Sequence, residues 1–92
     1  MYVILVYDIS IKGKGQRVMN RVFKTCKKYL SHVQNSVFEG EISESQIMAL
    51  KKELSANIRT DKDSVIVFKS RHERWLEKDY WGLKFDATSN ML

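Results

Sequence analysis

The chain has 92 residues, with sixteen Lys and Arg against eleven Asp and Glu and a formal net charge of +5. That length fits one domain burying about 60–65% of its unfolded surface, and a 43% hydrophobic, 29% charged composition excludes a disordered chain. The longest apolar run, Tyr2 to Tyr7, falls far short of the ~18 residues a membrane helix needs, no basic leader precedes it, and the one cysteine, Cys26, makes neither an internal disulfide nor a thiolate zinc cluster. The expected location is therefore the cytoplasm.

Residues 2 to 8 read as a strand buried on both faces, because the run is β-branched and aromatic without alternation. It ends in Asp8 and leads into a loop, Ile9 to Gly15, with two glycines. Residues 16 to 30 form an amphipathic helix: Val18, Met19, Val22, Phe23, Cys26, Tyr29 and Leu30 share one broad face at ~100° per residue. Residues 32 to 42 are extended, either as a short hairpin or as one kinked strand, and Gly40 points to a bulge or bend. Ser43-Glu-Ser-Gln46 is a capping box that opens a second helix to about residue 57, with Ile47, Leu50, Leu54 and Ile58 inward. Residues 59 to 63 read as a polar turn, and 65 to 68, Val-Ile-Val-Phe, as another buried strand. Residues 70 to 79 are polar and loop-like. An aromatic strand is expected within 80–86.

This order gives an α+β fold, the ferredoxin-like βαββαβ sandwich over 1–69, followed by a carboxy-terminal extension over 70–92. The late strand has no slot in a four-stranded sheet. It suits a sheet edge, including that of a second copy, which would cover an aggregation-prone rim. A homodimer would also enlarge the small buried area available to a chain this short.

Asp8 is the sole acid in residues 1 to 38 and sits at the carboxyl end of a strand. One reading makes it a cap for the loop or a partner for Lys12. The other makes it a Mg²⁺ ligand, since magnesium takes oxygen donors and often only one or two carboxylates. Two chains about a two-fold axis would bring two Asp8 carboxylates to one ion.

From Lys12 to Lys28 the chain carries seven cations and no acid. Lys14, Arg17, Arg21, Lys24 and Lys28 fall within roughly 80° on a helical wheel, mostly opposite the apolar stripe. A solvated helix face is the bland interpretation, but such faces commonly mix signs through i,i+4 pairs, and this one does not. Like charges at i,i+4 cost a few tenths of a kcal/mol each, a cost that a phosphate backbone reverses. The spacing suits backbone tracking, since no RNP-type aromatic signature accompanies it.

Other features carry less. Gly13-Lys-Gly15 lacks the P-loop spacing. His32 and His72 have no partner pattern, Cys26 lies on an apolar face, and Trp75, Tyr80 and Trp81 suit an interface better than base stacking.

Three blocks in order carry a resemblance: Tyr7-Asp-Ile-Ser10 after the first strand, Val33-Gln-Asn-Ser-Val-Phe-Glu-Gly-Glu41, and Asp63-Ser-Val65 before the last core strand. Over residues 1 to about 69 the chain resembles the small CRISPR-associated protein of the spacer-acquisition complex, the non-integrase partner of that pair. The resemblance implies a ferredoxin-like homodimer whose extra carboxy-terminal strand often lies on the other protomer's sheet. It implies a divalent metal, such as Mg²⁺, at Asp8 on the dimer interface, and metal-dependent endonuclease activity on single-stranded RNA or double-stranded DNA. It also implies a non-catalytic role for the same dimer, bridging integrase dimers and supporting the protospacer duplex. Arg17, Arg21 and Phe38 correspond to positions that assist near the metal. In a phosphodiesterase Asp8 would hold the ion, Tyr7 or Ser10 would orient the phosphate, and the cations would neutralise it. In a scaffold Lys12, Lys14, Arg17, Arg21, Lys24 and Lys28, with Phe38, would contact the nucleic acid and no catalytic group would be needed.

Overall fold

The computed structural model describes residues 1–82. The chain runs β1 (Tyr2–Asp8), α1 (Gly15–Tyr29), β2 (Ser31–Gln34), β3 (Val37–Glu41), α2 (Glu44–Ser55) and β4 (Ser64–Ser70), then a short 3₁₀ turn at Glu73–Trp75. The sheet has the order β2-β3-β1-β4, with every neighbouring pair antiparallel. This is the ferredoxin-like arrangement the βαββαβ order predicts.

The apolar β1 occupies a central position, paired with β3 on one side and β4 on the other. Its odd-numbered residues Val3, Leu5 and Tyr7 lie on the helix side and are buried with Val18, Val22 and Cys26 of α1 and Leu50 and Leu54 of α2. Phe38, opposite Leu5 on β3, completes this core and has no exposed surface. The hairpin option for residues 32–42 holds: β2 and β3 turn through Asn35, whose φ is +39°. The irregularity lies at His32–Gln34 on β2, whereas Gly40 keeps ladder register opposite Val3. Gly40 is small for another reason: a Cβ there would sit 3.1 Å from Leu30 Cδ2.

The second helix starts where its capping box places it. The Gln46 N–H donates to Ser43 Oγ (3.2 Å), and the Ser43 N–H donates to Gln46 Oε1 (2.9 Å). Among the described residues, no helix is long and apolar enough to cross a membrane.

The expectation of a buried β4 is corrected. Ile66 is 53% exposed and Phe68 is 56% exposed. The strand is an edge, bonded only to β1 within the described sheet, and both helices lie on the other side. Ile66 stands opposite Val6, and Phe68 opposite Ile4, so these four side chains share the open face, with Asp8 further along the same row of β1. The segment after β4 crosses part of that face: Lys78 Nζ donates to both Glu39 oxygens (2.9 and 2.8 Å) and to the Tyr2 hydroxyl (3.0 Å). Burial and the bond to Glu39 push the Tyr2 phenol up to about 12, and Glu39 and Tyr2 raise the Lys78 ammonium against its own desolvation. Residues 80–82 form no strand, and the rest of the expected strand, 83–86, lies outside the described residues.

Candidate nucleic-acid interface

Helix α1 presents two faces of opposite character. Val18, Val22 and Cys26 face the sheet. Arg17, Arg21, Lys24, Lys27 and Lys28 are exposed, and so are Lys12 and Lys14 in the preceding loop. Of these, only Lys28 is neutralised among the described residues: its ammonium bonds Glu53 of α2, and the Tyr29 hydroxyl donates to the same carboxylate. Those bonds from Lys28 and Tyr29 hold the Glu53 carboxyl below its usual range. The remaining cations make no ion pair among the described residues.

The loop between β1 and α1 is built around a residue pair that the sequence pattern does not announce. Asp63 has a fully buried carboxylate. It accepts from Arg59 Nε (3.0 Å) and Nη2 (3.0 Å), from the Arg59 N–H (2.8 Å) and from the Ser10 N–H (3.0 Å). The Arg59 side chain, then the Arg59 and Ser10 amides, hold the Asp63 carboxyl at about 2 against the opposing effect of burial. Arg59 Nη2 also donates to the Ser10 carbonyl (2.7 Å) and Nη1 to the Lys12 carbonyl. The Asp63-Ser-Val65 block singles out Asp63 by resemblance, and the i,i+4 spacing inside the expected polar turn is the signal for Arg59 as its partner.

Asp8 is exposed at the carboxyl end of β1. It makes no side-chain hydrogen bond or ion pair among the described residues, so the loop-capping and Lys12-pairing readings do not hold. A cavity of about 390 Å³ opens beside it, lined by Asn20 and Phe23 of α1 and by Asn35 and Ser36 of the hairpin turn. Tyr7 also lines this cavity, but its ring is 6% exposed and stacks on Phe38 at 6.1 Å between centroids. Burial, with a smaller push from the Cys26 thiol, raises the Tyr7 phenol above its ordinary value, so it stays neutral. Ser10 points elsewhere: its hydroxyl accepts from the Lys12 N–H (3.2 Å) and closes the loop. The assignment of Phe38 to nucleic-acid contact is corrected. Its ring is enclosed by Tyr7, Phe23 and His32, so it shapes the core under the site and cannot touch a polyanion. Cys26, driven up to about 12 by burial, is an inert thiol.

The donor set for a metal is sparse. Among the described residues no three His, Cys, Asp or Glu side chains come together. Asp8 is the carboxylate that lines the cavity at the end of β1, and magnesium takes one or two carboxylates with several waters.

A ferredoxin-like domain with a cationic helix and an open, partly apolar sheet face defines a small α+β protein whose surface charge suits a polyanion. The comparisons narrow that class. The family model for CRISPR associated protein Cas2 matches residues 1–78. The chain is 58% identical over 92 residues to the CRISPR-associated endoribonuclease Cas2 of Fusobacterium nucleatum, covering all of this chain and 87% of that one. A solved structure of a Cas2 superposes with a TM-score of 0.81 at 34% identity, covering 100% of this chain and 98% of the other. The Streptococcus pyogenes Cas2 crystal structure gives 0.73 at 28% identity, covering 87% and 100%. The chain belongs to the Cas2 family of CRISPR-associated proteins. It is thus a CRISPR adaptation protein with a nucleic-acid-binding role.

Proposed function

We propose that two copies of this chain associate through the open sheet face and act as the duplex-binding bridge between integrase dimers during spacer acquisition. The observation that carries the reading is the row of exposed cations on α1, uncompensated except at Lys28. A row of like charges lowers helix stability slightly in isolation and becomes favourable against phosphates. Two copies double the row. Association would cover Ile4, Val6, Ile66 and Phe68, the apolar part of the face, and would place the Asp8 rows of two sheets in one interface.

A Mg²⁺-dependent cleavage of phosphodiesters in single-stranded RNA or double-stranded DNA is a further part of this proposal. The two Asp8 carboxylates would hold the ion. Such an ion, when bound, polarises a phosphoryl oxygen and lowers the pKa of coordinated water. Arg17 and Arg21 would offset charge on the phosphate, and Ser10 and Tyr7 would act through the loop and core beneath it. A scaffold without cleavage is the second reading, and the single carboxylate per chain favours it.

The test is a pair of variants. Arg17→Glu with Arg21→Glu weakens duplex binding and flattens its salt dependence by about one slope unit for each phosphate no longer neutralised. Asp8→Asn spares that binding and abolishes any Mg²⁺-stimulated cleavage. Unchanged affinity and slope in the charge-reversal variant would refute the binding reading. Cleavage surviving in purified Asp8→Asn protein would refute the metal site. Loss of dimer in sedimentation of Ile66→Asp is expected as well.

A further inference from the structure

We propose that Arg59 and Asp63 are positioning residues for phosphate binding: their ion pair fixes the Ser10–Gly15 loop so that Lys12 and Lys14 meet a nucleic-acid backbone. This inference rests on the nucleic-acid reading given above and names residues that reading does not use.

The geometry begins with one guanidinium. Arg59 lies just beyond α2, 47 residues from Lys12, yet its Nη1 and Nη2 donate to the carbonyls of Lys12 and Ser10. Asp63 receives the remaining face of the fork and the Ser10 N–H, so both backbone groups of Ser10 are held by the pair. The loop is wrapped closely about this centre. Gly13 has φ +62°, and a Cβ there would lie 3.5 Å from Arg59 Nη1. At Gly15 a Cβ would lie 2.0 Å from the Ser10 carbonyl oxygen. At Gly15 no side chain fits without opening the loop, whereas at Gly13 the contact is an ordinary one and the left-handed backbone is what favours glycine.

Two consequences bear on a polyanion. Carbonyl oxygens in a phosphate-binding loop repel the ligand unless they are turned away. Here those of Ser10 and Lys12 point inward onto a cation, which leaves the outer surface to the lysine ammonium groups. The second consequence is entropic. Lysine is a flexible point charge, and a fixed backbone reduces the ordering that binding must impose. A well-packed apolar plug commonly stabilises a fold as well as a buried ion pair does. The planar fork supplies something else, the simultaneous capture of two specific carbonyls and a carboxylate.

The experiment is a cycle of variants of the full chain, with affinity for a DNA duplex followed across salt concentrations and all proteins kept below their unfolding transitions. Arg59→Lys keeps the charge and loses the fork. It is expected to weaken binding about threefold to tenfold and to lower the salt slope by about one unit. Asp63→Asn is expected to do the same and stands in if Arg59→Lys does not fold. In a Lys12→Ala/Lys14→Ala background, either change is expected to add less than about twofold, because the loop no longer carries the cations it positions. Amide exchange of the wild-type protein supplies a readout independent of both variants: the Ser10 N–H is expected to be protected before duplex is added.

The Arg17→Glu/Arg21→Glu protein separates the two levels. If it binds like wild type, the nucleic-acid reading itself fails. If it binds weakly while Arg59→Lys and Asp63→Asn keep wild-type affinity and slope, the positioning role is overturned. Full multiplication of the Arg59→Lys effect onto the lysine double variant also overturns it, as does an unprotected Ser10 amide.

Discussion

Replacing Asp63 by Asn tests the buried ion pair through its dependence on pH. In the folded protein the Asp63 carboxyl sits at about 2, below an ordinary value of 3.8. A depressed carboxylate pKa stabilises the fold fully above the ordinary value, and the stabilisation drains away as pH falls from about 4 toward 2. A shift of nearly two units corresponds to about 2 kcal/mol at neutral pH. Asn retains one carbonyl acceptor but presents an amide to donors that the carboxylate had satisfied, and it leaves the Arg59 charge unpaired. Arg59 keeps 22% of its side-chain surface in water, which limits the penalty. At pH 7 the variant is therefore expected to lose about 2–3 kcal/mol, a drop of roughly 10 °C or more in Tm for a domain of this size. Urea unfolding followed by circular dichroism at pH 7 and near pH 2, at one fixed protein concentration, measures the difference. The two proteins should converge to within about 1 kcal/mol in acid. An equal gap at both pH values would show that Asp63 is not held as a charged partner of Arg59, and the proposed ion pair would fail.

Three further outcomes follow from packing. Phe38→Ala removes a ring with no exposed surface and should cost about 3–5 kcal/mol in denaturant unfolding, with loss of the near-ultraviolet signal of Tyr7 beside it. Gly15→Ala forces a methyl to 2.0 Å from a backbone oxygen, which cannot swing aside as a side chain would, so the variant should unfold at lower denaturant concentration and should expose the Ser10 amide to exchange. Ser43→Ala breaks the capping box and should cost about 1 kcal/mol of thermal stability, while leaving duplex affinity at wild type because α2 carries none of the exposed row.

Periodicity makes much of this molecule legible. The apolar spacing from Val18 to Leu30 locates α1 to within a residue at each end, and Ser43 with Gln46 locates the start of α2. What misleads is composition without context. Val65-Ile-Val-Phe68 has the residues of a strand covered on both sides, and the sequence does not say whether the cover comes from its own chain or from another. Gly40 suggests a bulge because glycine weakens strands, yet its lack of a side chain serves the close approach of Leu30. At the site, charge clustering marks the cations of α1, and isolation from other acids marks Asp8. The pairing of Arg59 with Asp63 is hidden because a run of five polar residues reads as a turn, and only the fold brings it against a loop nearly fifty residues away. Phe38 is tied by resemblance to a contact that its enclosure forbids.

The central place of β1 has a consequence for how the chain is made. Its residues are made before those of both neighbouring strands, and the ladder partners on its outer side, Ser64–Ser70, are the last of the sheet to appear. Until β4 is made, the nascent chain therefore carries an oily segment with one unsatisfied border. Until that border is sealed, premature association between neighbouring nascent chains competes with correct folding, and chaperone capture of β1 would relieve the competition.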